Sequence, residues 1–146
     1  MQSRVLVAED NTDLRELMVC VLRASGHTVE EARDGVECVE RALAFHPNVV
    51  VMDLQMPRMN GIEAIRELRA CPDTANAIVI VVTGEAHLLS EAGAERLWDH
   101  LLVKPASAVD IADAIDLAID ACRTAHPEAM RTPSTSPPAS SSVNEP

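Results

Sequence analysis

The chain has 146 residues, of which 47% are hydrophobic and 1% are aromatic, and its formal net charge at pH 7 is −11. This length suits one hydrophobic core with at most a short appendage, so we do not expect a second folded domain. The acidic balance argues against direct nucleic-acid binding, because contacts with phosphates need clustered lysine and arginine side chains.

Cysteine spacing and hydropathy exclude further classes of protein. The four cysteines are scattered, without a CxxC pair or a Cys/His spacing that suits zinc, so we interpret them as buried thiols rather than metal ligands or disulfides. No apolar run is long enough for a membrane-spanning helix, and the first residues lack the pattern of a signal peptide. We therefore expect a cytoplasmic protein without membrane contacts.

Five short segments are predicted to be strands. In chain order they are Val5–Ala8, His27–Glu31, Val49–Met52, Ile78–Val82 and His100–Val103. The first, third and fourth are continuous apolar runs, which is typical of strands buried on both faces of a parallel sheet.

Helical spacing of apolar residues follows each of these strands. The first two helices are predicted to bury Leu14, Leu17, Met18, Val21 and Leu22, and Val36, Val39, Ala42 and Leu43. The third begins after Gly61 and buries Ile62, Ile65 and Leu68, a fourth ends near Trp98, and the last buries Val109, Ile111, Ala112, Ile115, Ala118, Ile119 and Cys122. This alternation predicts a doubly wound α/β fold, (βα)5, with helices on both faces of a parallel sheet.

The folded domain is predicted to span residues 1–123, and residues 124–146 are predicted to form a tail. From Thr132 onward the tail is rich in proline, serine and threonine and has almost nothing apolar to bury. Because such a segment cannot offset the entropy lost on ordering, we expect it to be disordered.

Polar residues follow four of the predicted strands. They are Glu9 and Asp10, then Asp53, Thr83 and Lys104, the last being the only lysine in the chain. Because ligands of open parallel sheets bind beyond the carboxyl ends of the strands, we expect these side chains to converge. Three neighbouring carboxylates favour a cation such as Mg²⁺, and an aspartate beside a metal, an ammonium and a hydroxyl suits phosphoryl transfer.

In order along the chain, these motifs resemble the receiver domains of two-component response regulators over roughly residues 3–123. The resemblance is carried by Glu9-Asp10, Val51–Pro57 followed by Asn60-Gly61, Val82–Gly84 and Val103–Pro105. It implies a flavodoxin-like fold with strand order 2-1-3-4-5, and a stand-alone receiver similar to chemotaxis regulators.

The resemblance also implies a magnesium-dependent phosphorylation site. Asp53 is similar to the phosphoacceptor, and Asp10 to a direct Mg²⁺ ligand. Glu9 would act on the metal through a bound water molecule, and the backbone carbonyl of Gln55 would complete the protein's share of the ligands.

Further implied roles concern switching. Thr83 is similar to the hydroxyl that moves toward the phosphoryl group, and Lys104 to the lysine that contacts it, aimed by a cis peptide before Pro105. Leu101 stands where an aromatic switch residue is usual, and Glu85, like Gln55, occupies a position that influences the access of water to the acyl phosphate.

The implied partners are proteins. A histidine kinase or a histidine phosphotransfer protein would donate the phosphoryl group, and a downstream protein would bind the surface around Leu101, between the fourth helix, the last strand and the last helix. The resemblance implies no enzymatic activity beyond the protein's own phosphorylation and dephosphorylation.

Three alternatives share parts of this pattern. A degenerate receiver would bind partners without phosphorylation, but all five site residues are retained here. An aspartate-nucleophile phosphatase or hydrolase would use the same acyl-phosphate chemistry, but such enzymes usually have an acid where Gln55 stands and add a substrate-binding cap. A flavin-binding module is disfavoured because the first strand is not followed by a phosphate-binding loop rich in serine, threonine and glycine.

Overall fold

A computed structural model describes residues 3–84, 87, 97–104 and 107–125. Its five strands form one parallel sheet in the order β2-β1-β3-β4-β5. The strands are β1 (Arg4–Ala8), β2 (Thr28–Ala32), β3 (Val49–Met52), β4 (Ile78–Thr83) and β5 (His100–Val103). The predicted fold class and strand order are confirmed, although β2 begins one residue later than the sequence pattern indicates.

Four helices occur within the described residues, namely α1 (Thr12–Ala24), α2 (Gly35–Phe45), α3 (Gly61–Ala70) and α4 (Ala108–Ala125). The first three are capped at their N-termini by Asn11, Asp34 and Asn60, whose side chains accept hydrogen bonds from backbone N–H groups of the first turn. Most of the predicted helix between β4 and β5, and residues 126–146 of the predicted tail, lie outside the described residues, whereas residues 124 and 125 of that tail belong to α4.

The sheet separates two apolar clusters because successive side chains of a strand point to opposite faces. In β3, Val50 and Met52 pack in the cluster that includes residues of α2 and α3. Val49 and Val51 pack in the cluster that includes residues of α1 and α4. All four side chains are buried, as predicted for a central parallel strand.

Some predicted core residues lie at the surface. Leu17 is 53% exposed, whereas Arg15 and Val19 on the same helix are buried. The buried arc is rotated because α1 contacts both β2 and α4 rather than the sheet alone. Leu43 and Val109 are also exposed, on the outer sides of α2 and α4.

Two further expectations concern membrane-spanning helices and the burial of the cysteines. Among the described residues, no helix has the length and apolar character needed to cross a membrane, and the cytoplasmic location stays a prediction. Of the three described thiols, Cys38 is buried, Cys71 is half-buried and Cys20 is exposed, so the expectation of buried thiols is wrong for Cys20.

Candidate functional site

The parallel sheet delivers the predicted site residues to one edge. Glu9 follows β1 and Asp53 follows β3, and the two strands are adjacent with Ala8 opposite Met52. On the other side, Thr83 ends β4 and Lys104 follows β5. The sheet hydrogen bonds continue past the strand ends, from Asp53 N to the carbonyl of Ala8 at 3.1 Å and from Lys104 N to the carbonyl of Thr83 at 2.9 Å.

Three carboxylates meet at this edge. One oxygen of each of Glu9, Asp10 and Asp53 lies within 4.8 Å of the others. Glu9 and Asp53 are buried and Asp10 is exposed, so the cluster opens to solvent on the side of Asp10. The predicted convergence of the acidic residues is therefore present in the structure.

Lys104 is the cation of the cluster. Its ammonium nitrogen donates to Glu9 Oε1 and to Asp53 Oδ2, each at 3.2 Å. Both bonds join residues far apart in the sequence, so they hold the end of β5 against the ends of β1 and β3. One ammonium faces three carboxylates, and the charge of the cluster is therefore not balanced by the lysine alone.

The surroundings of the cluster raise the pKa values of both Glu9 and Lys104. Burial, followed by the charge of Asp53, raises the pKa of Glu9 to about 7, although Lys104 opposes the change. Burial by itself would lower the pKa of Lys104, but the charges of Asp53 and Glu9 outweigh it and raise that pKa. A second positive charge would relieve the cluster, and hard oxygen ligands at this spacing suit a divalent ion such as Mg²⁺.

The remaining predicted residues have different placements. Thr83 is fully buried at the end of β4. Gln55 is exposed, and its backbone N–H donates to Asp53 Oδ1 at 3.3 Å, so its peptide unit lies beside the carboxylate. Leu101 is half-buried against the cluster that includes α2 and α3. Glu85 and Pro105, with the expected cis peptide, lie outside the described residues.

Two further residues support the site, of which the sequence analysis missed Arg15 and named Gly61 only as part of the receiver motif. The buried guanidinium of Arg15 donates to the carbonyl of Glu9 and to the side chain of Glu31, at 2.9 Å each. The first of these bonds fixes the backbone at Glu9, directly after β1. Gly61 lies so near the end of β3 that a Cβ atom there would be 2.4 Å from the carbonyl oxygen of Asp53. An arginine on the buried side of α1 was the available signal for Arg15, whereas the motif that contains Gly61 gave no reason for a glycine there.

The chain is similar to known regulators over most of its length. It is 38% identical to the transcriptional regulatory protein PdtaR of Mycobacterium tuberculosis (strain ATCC 25618 / H37Rv) over 121 residues, which are 82% of this chain and 58% of that protein. It is 32% identical to the chemotaxis protein CheY of Thermotoga maritima over 117 residues, which are 80% of this chain and 97% of that protein. The chain spans less than two thirds of several curated relatives, in three cases 23%, 45% and 58% of their length.

Solved structures share the fold. The receiver domain of the sensor histidine kinase PA1611 from Pseudomonas aeruginosa PAO1, which has a magnesium ion coordinated in its active site cleft, matches with a TM-score of 0.72 at 23% identity, covering 82% of this chain and 99% of that one. The sequence model of the response regulator receiver domain matches residues 5–116, a segment that contains the whole candidate site and all five strands except Arg4, the first residue of β1. The chain belongs to the family of response regulator receiver domains.

Proposed function

We propose that this receiver accepts a phosphoryl group on Asp53 from a histidine kinase or a histidine phosphotransfer protein, in a reaction that depends on Mg²⁺. The observation that carries the proposal is the meeting of three carboxylates and one ammonium at the carboxyl edge of the sheet. This arrangement gives a nucleophile, a cation site and a fixed positive charge in one place.

Asp53 is assigned as the nucleophile because it stands at the phosphoacceptor position of the receiver motif and hydrogen bonds hold both of its carboxylate oxygens. Oδ2 accepts from Lys104, and Oδ1 accepts from the backbone N–H of Gln55. In the transfer, an Asp53 oxygen forms a bond to phosphorus while the phosphorus–nitrogen bond of the donor's phosphohistidine breaks. The imidazole of the donor leaves with the electron pair of that bond and takes up a proton.

The metal would be held by Asp10, Asp53 and the backbone carbonyl of Gln55, and Glu9 would act on it through a water molecule. Burial and the charge of Asp53 raise the pKa of Glu9, and three carboxylates with one ammonium leave an excess of negative charge that supports a divalent ion here. When bound, Mg²⁺ would neutralise the carboxylates and draw charge from the phosphoryl oxygens. The receiver domain of PA1611, which shares the fold, holds magnesium in its own cleft.

Lys104 and Thr83 act on the phosphoryl oxygens. The ammonium of Lys104 already pairs with Asp53, and it would transfer one of its hydrogen bonds to a phosphoryl oxygen. The hydroxyl of Thr83 would move to donate to another oxygen, and the half-buried Leu101 would repack behind it. A downstream protein would bind the surface around Leu101 in response to this change. The chain would catalyse no reaction beyond its own phosphorylation and dephosphorylation.

The test is treatment of the purified chain with acetyl phosphate and Mg²⁺, followed by intact-mass analysis. We expect one added phosphoryl group, labile to base and absent when EDTA replaces Mg²⁺. Asp53→Ala should remove the adduct, whereas Asp73→Asn, at an exposed aspartate outside the site, should leave it unchanged. An undiminished adduct in Asp53→Ala would refute the assignment, and multiple turnovers of acetyl phosphate without an adduct would favour the phosphatase alternative.

A further inference from the structure

The loop of residues 54–60, which joins β3 to α3 and carries the carbonyl of Gln55, lies against the N-terminus of α2. Gly35 is so close to this loop that a Cβ atom on it would be 2.1 Å from the carbonyl oxygen of Met59 and 2.7 Å from its carbonyl carbon. Glycine is the residue that permits such an approach between two backbone segments. The loop therefore packs directly against the first turn of α2.

Arg58 adds a polar attachment at the same place. Its Nε donates to Asp34 Oδ2 and its Nη2 donates to Asp34 Oδ1, each at 3.0 Å. The side chain of Asp34 is only 13% exposed, although that of Arg58 is 59% exposed. Isolated surface ion pairs contribute little, but a pair with two parallel hydrogen bonds also fixes the relative orientation of its partners.

Asp34 connects this attachment to a rigid element. Its Oδ1 also accepts from the backbone N–H of Glu37 at 2.8 Å, which makes Asp34 the N-cap of α2. Burial alone would raise the pKa of Asp34, but hydrogen bonds from Glu37 and Arg58 lower that pKa below its ordinary value. The carboxylate is thus charged at neutral pH and is held by the helix on one side and the loop on the other.

The backbone of Arg58 indicates that its side chain is needed. Its φ angle is 67°, in the left-handed region that residues other than glycine rarely adopt. Glycine would adopt this angle without steric conflict, yet the sequence has arginine, the residue that bridges to Asp34.

We propose that Arg58 and Asp34 are a positioning pair, which holds the loop carrying the Gln55 carbonyl at the carboxylate cluster and thereby sets the affinity of the site for Mg²⁺. The inference rests on the proposed function, because it assigns the pair to the same metal site. Neither residue touches the metal, so both act through the loop.

Isothermal titration calorimetry with MgCl₂ measures the predicted effect. Arg58→Ala should raise the Kd for Mg²⁺ about tenfold, the lower end of the range for residues that support metal ligands. Arg58→Lys should have an intermediate Kd, because lysine keeps the charge but cannot form the paired hydrogen bonds. The matched control is Arg33→Ala, an exposed arginine whose ion pair is with Glu37 of α2, and its Kd should equal that of the wild type.

Two further variants separate positioning from backbone strain and from helix capping. Arg58→Gly removes both the side chain and the strain, so it should bind Mg²⁺ as weakly as Arg58→Ala. Asp34→Asn keeps a side chain that can cap α2, but it loses the charge that Arg58 requires. The double variant Asp34→Asn/Arg58→Ala should bind no more weakly than the weaker single variant, because both changes remove one interaction.

The outcomes distinguish this inference from the proposed function. If the wild type binds Mg²⁺ and Arg58→Ala binds it equally well, or if Arg58→Gly restores the affinity, the positioning role is wrong while the proposed function stands. Additive losses in the double variant would also overturn the pair. If the wild type itself fails to bind Mg²⁺, both proposals fall together.

Discussion

Replacing Glu9 with glutamine should stabilise the metal-free protein at neutral pH, although Glu9 is a predicted site residue. Glutamine keeps the size of the side chain and removes the buried negative charge. The pKa of Glu9 is raised from 4.5 to about 7, first by burial and then by the charge of Asp53. The folded protein therefore holds this proton more tightly than the unfolded chain does.

The sign and size of the effect follow from proton linkage. A group whose folded pKa is raised contributes stability below its unfolded pKa, and this contribution is lost as the pH rises through the folded pKa. Because one pKa unit is worth about 1.4 kcal/mol, the difference between 4.5 and about 7 corresponds to about 3 kcal/mol. Glu9→Gln should match the wild type near pH 4.5 and exceed its stability by about 3 kcal/mol at pH 8, on the order of 10 °C in Tm.

The assay is urea unfolding in EDTA between pH 4.5 and 8, followed by the fluorescence of Trp98. Glu67→Gln, at an exposed glutamate on α3, is the control and should run parallel to the wild type. Saturating Mg²⁺ at pH 8 should stabilise the wild type more than Glu9→Gln, because the ion offsets the negative charge of Glu9, which glutamine lacks. Equal stabilities of wild type and Glu9→Gln across the whole pH range would show that burial and the charge of Asp53 do not raise the pKa of Glu9.

Three more substitutions, one of them with a control variant, test the site. Asp10→Ala should weaken Mg²⁺ binding more than Glu9→Gln, since Asp10 is assigned to direct coordination, and equal Kd values in a calorimetric titration would contradict that division. Gly61→Ala should lower the free energy of unfolding by about 2 kcal/mol, because its Cβ would clash with the backbone beside the phosphoacceptor. Gly84→Ala, whose Cβ would meet nothing within 4 Å, should be tolerated in the same urea experiment. Adding beryllofluoride with Mg²⁺, a mimic of the phosphoryl group, should change the emission of the only tryptophan much less in Thr83→Ala than in the wild type. Identical responses would remove Thr83 from the switch.

The sequence determined the sheet and the membership of the candidate site. The runs at Val49–Met52 and Ile78–Thr83 are strands because they are continuous and rich in β-branched residues, a pattern that is written locally. Once the strands are parallel, geometry places the residues after them at one edge. That is why Glu9, Asp53 and Lys104 could be named together before any contact between them was known.

Only the tertiary structure decided which residues support the site. The bond from Arg15 to the carbonyl of Glu9 and the pair between Arg58 and Asp34 join elements that are packed side by side. The exposure of Leu17 likewise depends on the angle at which α1 meets its neighbours. Such contacts depend on distances and orientations between whole elements to within about an ångström, and the spacing of residues along a single element carries no record of them.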